Sequence, residues 1–344
     1  MKKIGVFFLL IALVFTVIFI VQSNKEKDVN EQILQGGEDM QGNIFDEVPS
    51  EEVIDETTEE LNPTTPIDTN SNNVDVVQPT VNDNKPISKK IDSDSLFRGF
   101  LIRVNKRNLL PEGFVPQDLV NIYKTIEKNI ATQNHNEMLV NTVVLDAFTK
   151  MVKAASSDGL KGMNIASAYR TYDYQKTLFN NRVNSLMSNN GMTKDAATAA
   201  TSMSIAYPGT SEHQTGLVID IGDTVSTTTQ SANDTKWYAW LADNCYDYGF
   251  IIRYQKHKED ITEYVYEPWH LRYVGLPHSQ IMKEMDLCLE EYIDMLEANR
   301  TTNWGGYEIK YYYIDDSSIP KEIDEYTTVS GDGMKGMIFT RSQR

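Results

Sequence analysis

Ser211-Glu212-His213-Gln214-Thr215-Gly216-Leu217-Val218-Ile219-Asp220 sets a histidine and an aspartate seven residues apart across a glycine. Its second half reads as a strand. Side chains alternate along a strand, so Leu217, Ile219 and Ile221 share one wholly apolar face while Val218 and Asp220 share the other. The apolar face belongs to the core, and the Asp220 carboxylate therefore points to a cleft or to solvent. Farther on, Glu267-Pro268-Trp269-His270 leads into a second strand pattern, in which His270 and Arg272 lie opposite Trp269, Leu271 and Tyr273. Two neighbouring strands would then present Asp220 and His270 together, with His213 just across the turn at Gly216. Two imidazoles and a carboxylate are the ligand mix that leaves a catalytic zinc one open position. Glu267, three residues before His270, stands where a general base is useful.

Neither segment is decisive alone. Histidine and aspartate at this spacing occur without metal, and so does Glu-x-x-His. The joint pattern carries the reading, because it takes in two of only five histidines. His135, His257 and His278 have no acidic or histidine partner at a matching spacing and are read as surface or loop residues. A structural zinc site would be closed by a fourth ligand, often cysteine. Cys245 and Cys288 lie in no ligand motif; both read as buried free thiols on helices, with a disulfide left open.

The net charge of −17 over 344 residues excludes a nucleic-acid partner as the first reading, since phosphate binding needs clustered Lys and Arg. The acidity is uneven: residues 23–95 hold 18 Asp/Glu against 5 Lys/Arg, and residues 96–344 hold 31 against 25. Residues 1–22 contain an apolar run at 4–21 preceded by Lys2 and Lys3. That run is just long enough for a bilayer core of ~30 Å, and the lysines favour a cytoplasmic N-terminus. A signal peptide cleaved near Val21-Gln22-Ser23 competes, but no Ala-x-Ala is present. Either reading puts the rest outside the cytoplasm. Residues 23–95, with Phe45 their only aromatic before the end, are too poor in apolar surface to offset ordering entropy and read as a disordered tether.

Globular composition begins near Phe97, and the working domain is expected over 96–300. Leu119, Ile122, Ile126 and Ile130 recur at helical spacing, and Val144, Leu145, Phe148, Met151 and Val152 do so more strongly. Strands are expected at 163–168, 217–221 and 270–274, and helices at 172–186, 196–205 and 279–296. Helices first and strands later suggest an α+β fold with helices packed on an antiparallel sheet. In 301–344, Tyr307, Ile309, Tyr311 and Tyr313 alternate with Glu308, Lys310 and Tyr312, and 336–340 is a candidate partner strand. This tail is read as a small β appendage, and 223–236 as a loop near the cleft that acts as a lid.

The two opening segments, extended as Glu267-Pro268-Trp269-His270-Leu271-Arg272-Tyr273-Val274-Gly275, resemble the signatures of VanY-type D-alanyl-D-alanine carboxypeptidases. Ser167-Ala168-Tyr169-Arg170-Thr171-Tyr172-x-x-Gln175 is similar to that family's Ser-Gly-Tyr-Arg-Ser-x-x-x-Gln segment, and Leu109-Leu110-Pro111 and Tyr248-Gly249-Phe250-Ile251-Ile252-Arg253-Tyr254 also match. The resemblance spans roughly residues 98–285. It implies a compact zinc-peptidase domain acting on peptidoglycan stem peptides, with His213, Asp220 and His270 holding Zn2+. It implies Glu267 as the base, Arg170 as a stabiliser of charge or holder of a carboxylate, and Ser211, Gln175, Tyr169 and Trp269 at the substrate. Ala168 replaces the usual glycine, and its methyl is expected to narrow a subsite. The same zinc site serves L,D-carboxypeptidases and crosslink-cleaving endopeptidases, so these stay open. A non-catalytic wall-binding module would have no need of Glu267.

Overall fold

A computed structural model describes residues 91–343 except 112, 128–129, 223–231, 321–322 and 325–326. The apolar run at 4–21, nearly all of the acidic stretch and most of the expected lid lie outside the described residues. Among the described residues no helix is long and apolar enough to cross a membrane.

In chain order the strands are β1 (Leu119–Asn121), β2 (Thr132–Gln133), β3 (Leu139–Asn141), β4 (Asn164–Ser167), β5 (Val218–Ile221), β6 (Phe250–Tyr254), β7 (Glu267–Tyr273), β8 (Thr301–Trp304), β9 (Tyr307–Tyr313), β10 (Thr327–Gly331) and β11 (Gly336–Ser342). The helices longer than one turn are α1 (Thr142–Ser157), α2 (Tyr172–Asn190), α3 (Lys194–Thr201), α4 (Ala232–Asn244), α5 (His278–Glu284) and α6 (Leu289–Asn299). A five-stranded sheet in the order β2-β4-β5-β7-β6 forms the centre. It is antiparallel except for the parallel pair of β2 with β4. The expected α+β class is therefore what the chain adopts.

Helix α1 explains why the sheet is covered on one side. Val144, Leu145, Phe148, Met151, Val152 and Ala155 are all buried, and their spacing gathers them into one apolar stripe. They share a cluster with Ile165, Ile219, Ile221 and Leu271 from the central strands. Asn141 starts the helix by accepting from the Val143 amide, a side-chain cap that satisfies one otherwise orphaned donor. Helix α2 is capped in the same way by Thr171 and closed by Gly191 in the left-handed conformation.

Two helical readings need correction. Leu119 lies in β1, paired with β3, and only Ile122–Thr125 forms a turn of helix. A four-residue apolar step also fits one turn flanked by irregular chain, and here it buries Ile122 and Ile126. The helix expected over 279–296 is two. It breaks where Asp286 takes a positive φ, and Cys288 restarts it with a capping box to Glu291. Both cysteines are buried and unpaired.

The C-terminal strands form the expected small sheet, in the order β10-β11-β9-β8. Its two faces are both occupied. Ile309, Tyr311 and Ile338 join the main core, while Met337 and Phe339 pack with Leu96 of the 3-10 turn Ser93–Phe97. The start and end of the described chain are stitched together: the Gly331 amide donates to Arg98 O at 2.8 Å, and Arg103 N to Asp332 O at 2.9 Å. Gly331 admits nothing larger, because a Cβ there would lie 2.1 Å from the Leu96 carbonyl oxygen. His278 is not at the surface as expected. It is buried, with Nδ1 2.7 Å from Tyr292 Oη and Nε2 3.0 Å from Thr340 Oγ1. Burial lowers its pKa to about 3, so it tethers the tail sheet to α6 as a neutral ring.

Candidate active site

Strand register builds the site. Asp220 on β5 is the direct cross-strand partner of His270 on β7 and of Ser167 on β4. His213 precedes β5 on the 3-10 turn Glu212–Thr215. Gly216 ends that turn at φ 70°, and a Cβ there would lie 2.8 Å from Leu119 Cδ2. Only glycine takes that conformation at no steric cost and fits the space, so the reversal that returns His213 over Asp220 depends on it.

The three expected ligands converge: one ligand atom from each of His213, Asp220 and His270 lies within 4.8 Å of the others, and all three residues are buried. His213 Nε2 is 3.1 Å from Asp220 Oδ2, and His270 Nδ1 is 3.2 Å from Asp220 Oδ1. The His213 tautomer is set from behind. Its Nδ1 donates to the Ala168 carbonyl at 2.6 Å, which leaves the Nε2 lone pair on the cleft side, where Arg170 Nη2 donates to it at 3.1 Å. Ala168 thus serves through its backbone. Its methyl packs in the main core and narrows no subsite, a correction that follows from its lying just past β4 on the apolar side.

The cleft is lined by Arg170, Ser211, His213, Asp220, Tyr254, Tyr264, Glu267, Trp269 and His270, with Ser204, Ile205 and Ala206 on one wall. Arg170 donates to Ser167 Oγ at 3.0 Å, Gln175 Oε1 at 3.2 Å and Asp220 Oδ2 at 3.1 Å. Gln175 is fully buried, and its amide also donates to Ala206 O at 2.7 Å, so it braces Arg170 against that wall. Tyr169 is half-buried and stands outside the lining residues.

Charges in the site pull against burial. Burial pushes the Glu267 carboxyl up to about 8, with Asp220 adding to the shift and His270 and Arg170 opposing it. Asp220 is also penalised by burial, but His213 and His270 hold it well below the usual carboxylate range. Burial and the Arg170 charge lower His213 to about 4. For His270 burial is outweighed by Asp220 and Glu212, and its pKa rises to about 9.

Among the described residues, Asp220 Oδ1, His270 Nε2 and Glu212 Oε2 at this centre, and Tyr264 Oη in the cleft wall, are buried without a hydrogen-bond partner. Buried polar atoms are rarely left so, and the Asp220 oxygen lies beside His270 Nδ1, 3.2 Å away. Two nitrogens and a carboxylate converging there, with no fourth protein ligand from cysteine, fit an open zinc site. Metal binding must then displace a proton from His270 at any pH below about 9. The apparent zinc affinity is expected to rise with pH until about 9 and to level off above it. Calorimetry at pH 7 in buffers of differing ionisation enthalpy should register proton release; heats independent of the buffer would contradict it.

Beneath the histidines lies a network that the sequence did not disclose. Glu212 Oε1 accepts from Arg253 Nε at 2.8 Å and Arg272 Nη1 at 2.6 Å. Arg253 also clasps Glu290 through both terminal nitrogens, at 2.8 and 2.6 Å. The signal was present, since an arginine inside the apolar strand Phe250-Ile251-Ile252-Arg253-Tyr254 needs a buried acid to pair with.

A family model for D-alanyl-D-alanine carboxypeptidases (VanY) matches residues 137–276. YodJ of Bacillus subtilis is 38% identical over 219 residues, covering 61% of this chain and 73% of that protein. The D-alanyl-D-alanine carboxypeptidase of Enterococcus faecium is 32% identical over 268 residues, covering 73% of this chain and 78% of its own length. The solved D,D-dipeptidase VanXYg, bound to a phosphinate analogue of D-Ala-D-Ala, superposes with a TM-score of 0.55 at 27% identity, over 72% of this chain and 96% of that one. Signature residues gathered around one cleft, and kinship extending over most of each relative, agree: the chain belongs to the VanY family of D-alanyl-D-alanine carboxypeptidases.

Proposed function

We propose that this chain is a membrane-tethered, zinc-dependent carboxypeptidase that removes a C-terminal D-alanine from peptidoglycan stem peptides outside the cytoplasm. The observation that carries it is the convergence of His213, Asp220 and His270 with Glu267 at one cleft. The extracytoplasmic placement rests on the apolar run at 4–21 and on where such a substrate is found.

His213, Asp220 and His270 hold the metal. Bound zinc lowers the pKa of a water to about 7 and polarises a carbonyl. Glu267, its carboxyl facing the same cleft 3.5 Å from His270 Nδ1, accepts the attacking water's proton and returns it to the leaving amine nitrogen. Burial raises its pKa, toward the range in which one carboxyl can both accept and return a proton. Arg170, fixed by Ser167 and Gln175, presents the planar fork that matches a terminal carboxylate. Trp269 and Ser211 also line the cleft, where the substrate backbone would lie.

Muropeptides treated with the full-length protein and read by mass spectrometry test the reaction. Loss of one terminal D-alanine from pentapeptide is the expected result. Loss only from tetrapeptide would mean L,D activity, and cleavage of crosslinked dimers an endopeptidase. If Arg170 reads the carboxylate, amidating the substrate C-terminus should weaken wild type strongly and Arg170→Lys much less. Equal cleavage of acid and amide by wild type would remove that role from Arg170.

A further inference from the structure

Arg170, Glu267 and the three ligands leave one buried acid at this centre without a part to play. Glu212 is fully enclosed, and one of its oxygens is consumed by the two arginines. The other, Oε2, has no hydrogen-bond partner and lies 3.5 Å from His270 Nε2, which has none either. Two unpartnered buried atoms of complementary chemistry thus face each other. On the opposite edge of the ring, His270 Nδ1 faces Asp220 Oδ1 at 3.2 Å and Glu267 Oε2 at 3.5 Å.

Resting on the zinc reading above, we infer that Glu212 is the positioning residue for His270: its Oε2 accepts the Nε2–H and so commits Nδ1 to the metal. A ring nitrogen carrying a proton cannot ligate, so the acceptor that holds the N–H on one nitrogen decides which lone pair remains. Carboxylates behind ligating histidines fix tautomer and ring orientation and raise ligand basicity. The two histidines are then held by different means and through different atoms. His213 is backed by the Ala168 carbonyl on its Nδ1 and offers Nε2, while His270 is backed by a carboxylate on its Nε2 and offers Nδ1.

Arg253 and Arg272 make this arrangement durable. A lone carboxylate behind the ring would be costly to bury, but two guanidiniums on Oε1 keep Glu212 charged and leave Oε2 free to face the histidine. Glu290 in turn neutralises Arg253 from the far side, and the Phe100 and Ile102 carbonyls each accept from Arg272 at 2.9 Å.

The test begins with wild type and needs no mutant. In the full-length, zinc-loaded protein carrying 15N-histidine, NMR should show His213 bound through Nε2 and His270 through Nδ1. Zinc bound with His270 coordinating through Nε2 would overturn the inference while leaving the carboxypeptidase reading intact. Failure of wild type to bind zinc would defeat both. Glu212→Gln should weaken zinc binding in a chelator competition by about tenfold to a hundredfold. Glu290→Gln, which disturbs the same arginine without touching His270, should leave zinc affinity unchanged even if the metal-free protein melts earlier. Equal losses of affinity in the two variants would mean that Glu212 acts only through the stability of the ion network, and would overturn the assignment.

Discussion

Glu267→Gln is expected to retain zinc and bind the substrate while losing on the order of 10² to 10⁴ in turnover, the usual loss when a general base is removed. The substitution is nearly isosteric and falls on a side chain that faces the cleft from the first residue of β7 and whose contact with His270 Nδ1 is a long one, 3.5 Å. Its amide cannot take the water's proton, so the rate collapses through kcat. Metal content by elemental analysis should stay at one zinc per chain. Turnover close to wild type would make Glu267 a structural residue, and loss of zinc would make it a ligand.

The second large effect concerns the metal itself. His213→Ala or His270→Ala should leave the purified protein without zinc, because the two remaining ligands cannot hold the ion tightly. The fold is expected to survive either change. With His213 removed, Asp220 keeps Arg170 as its partner; with His270 removed, Glu212 keeps both of its arginines. Undiminished zinc in both variants would rule out the site as drawn.

The parts of this site that could be read beforehand are those that strand alternation controls. Period-two side-chain geometry put Asp220 and His270 on matching faces, and the register makes them direct partners. The tail strands were legible for the same reason, since Tyr307–Tyr313 alternates cleanly. What escaped depends on contacts far apart in sequence. The polar tether of His278 joins residues 62 apart, and nothing local to His278 announces it. The Glu212 pairings cross 41 and 60 residues. Ala168 was misread because the resemblance gave its place in a motif but not the side to which its methyl turns.

The stitching of residues 98–103 to 330–333 has a bearing on how the protein is made. The Leu101 amide reaches Ser330 Oγ at 2.9 Å across 229 residues. Closing so long a loop carries an entropic cost that only the completed partner strand can offset, and folds dominated by such distant pairings form slowly. A nascent chain halted before β10 would leave residues 98–103 without the partners that seat them. Those same residues carry the Phe100 and Ile102 carbonyls that fix Arg272, and Arg272 fixes Glu212 beneath His270. The metal cradle therefore draws part of its support from strands synthesised after all of its ligands.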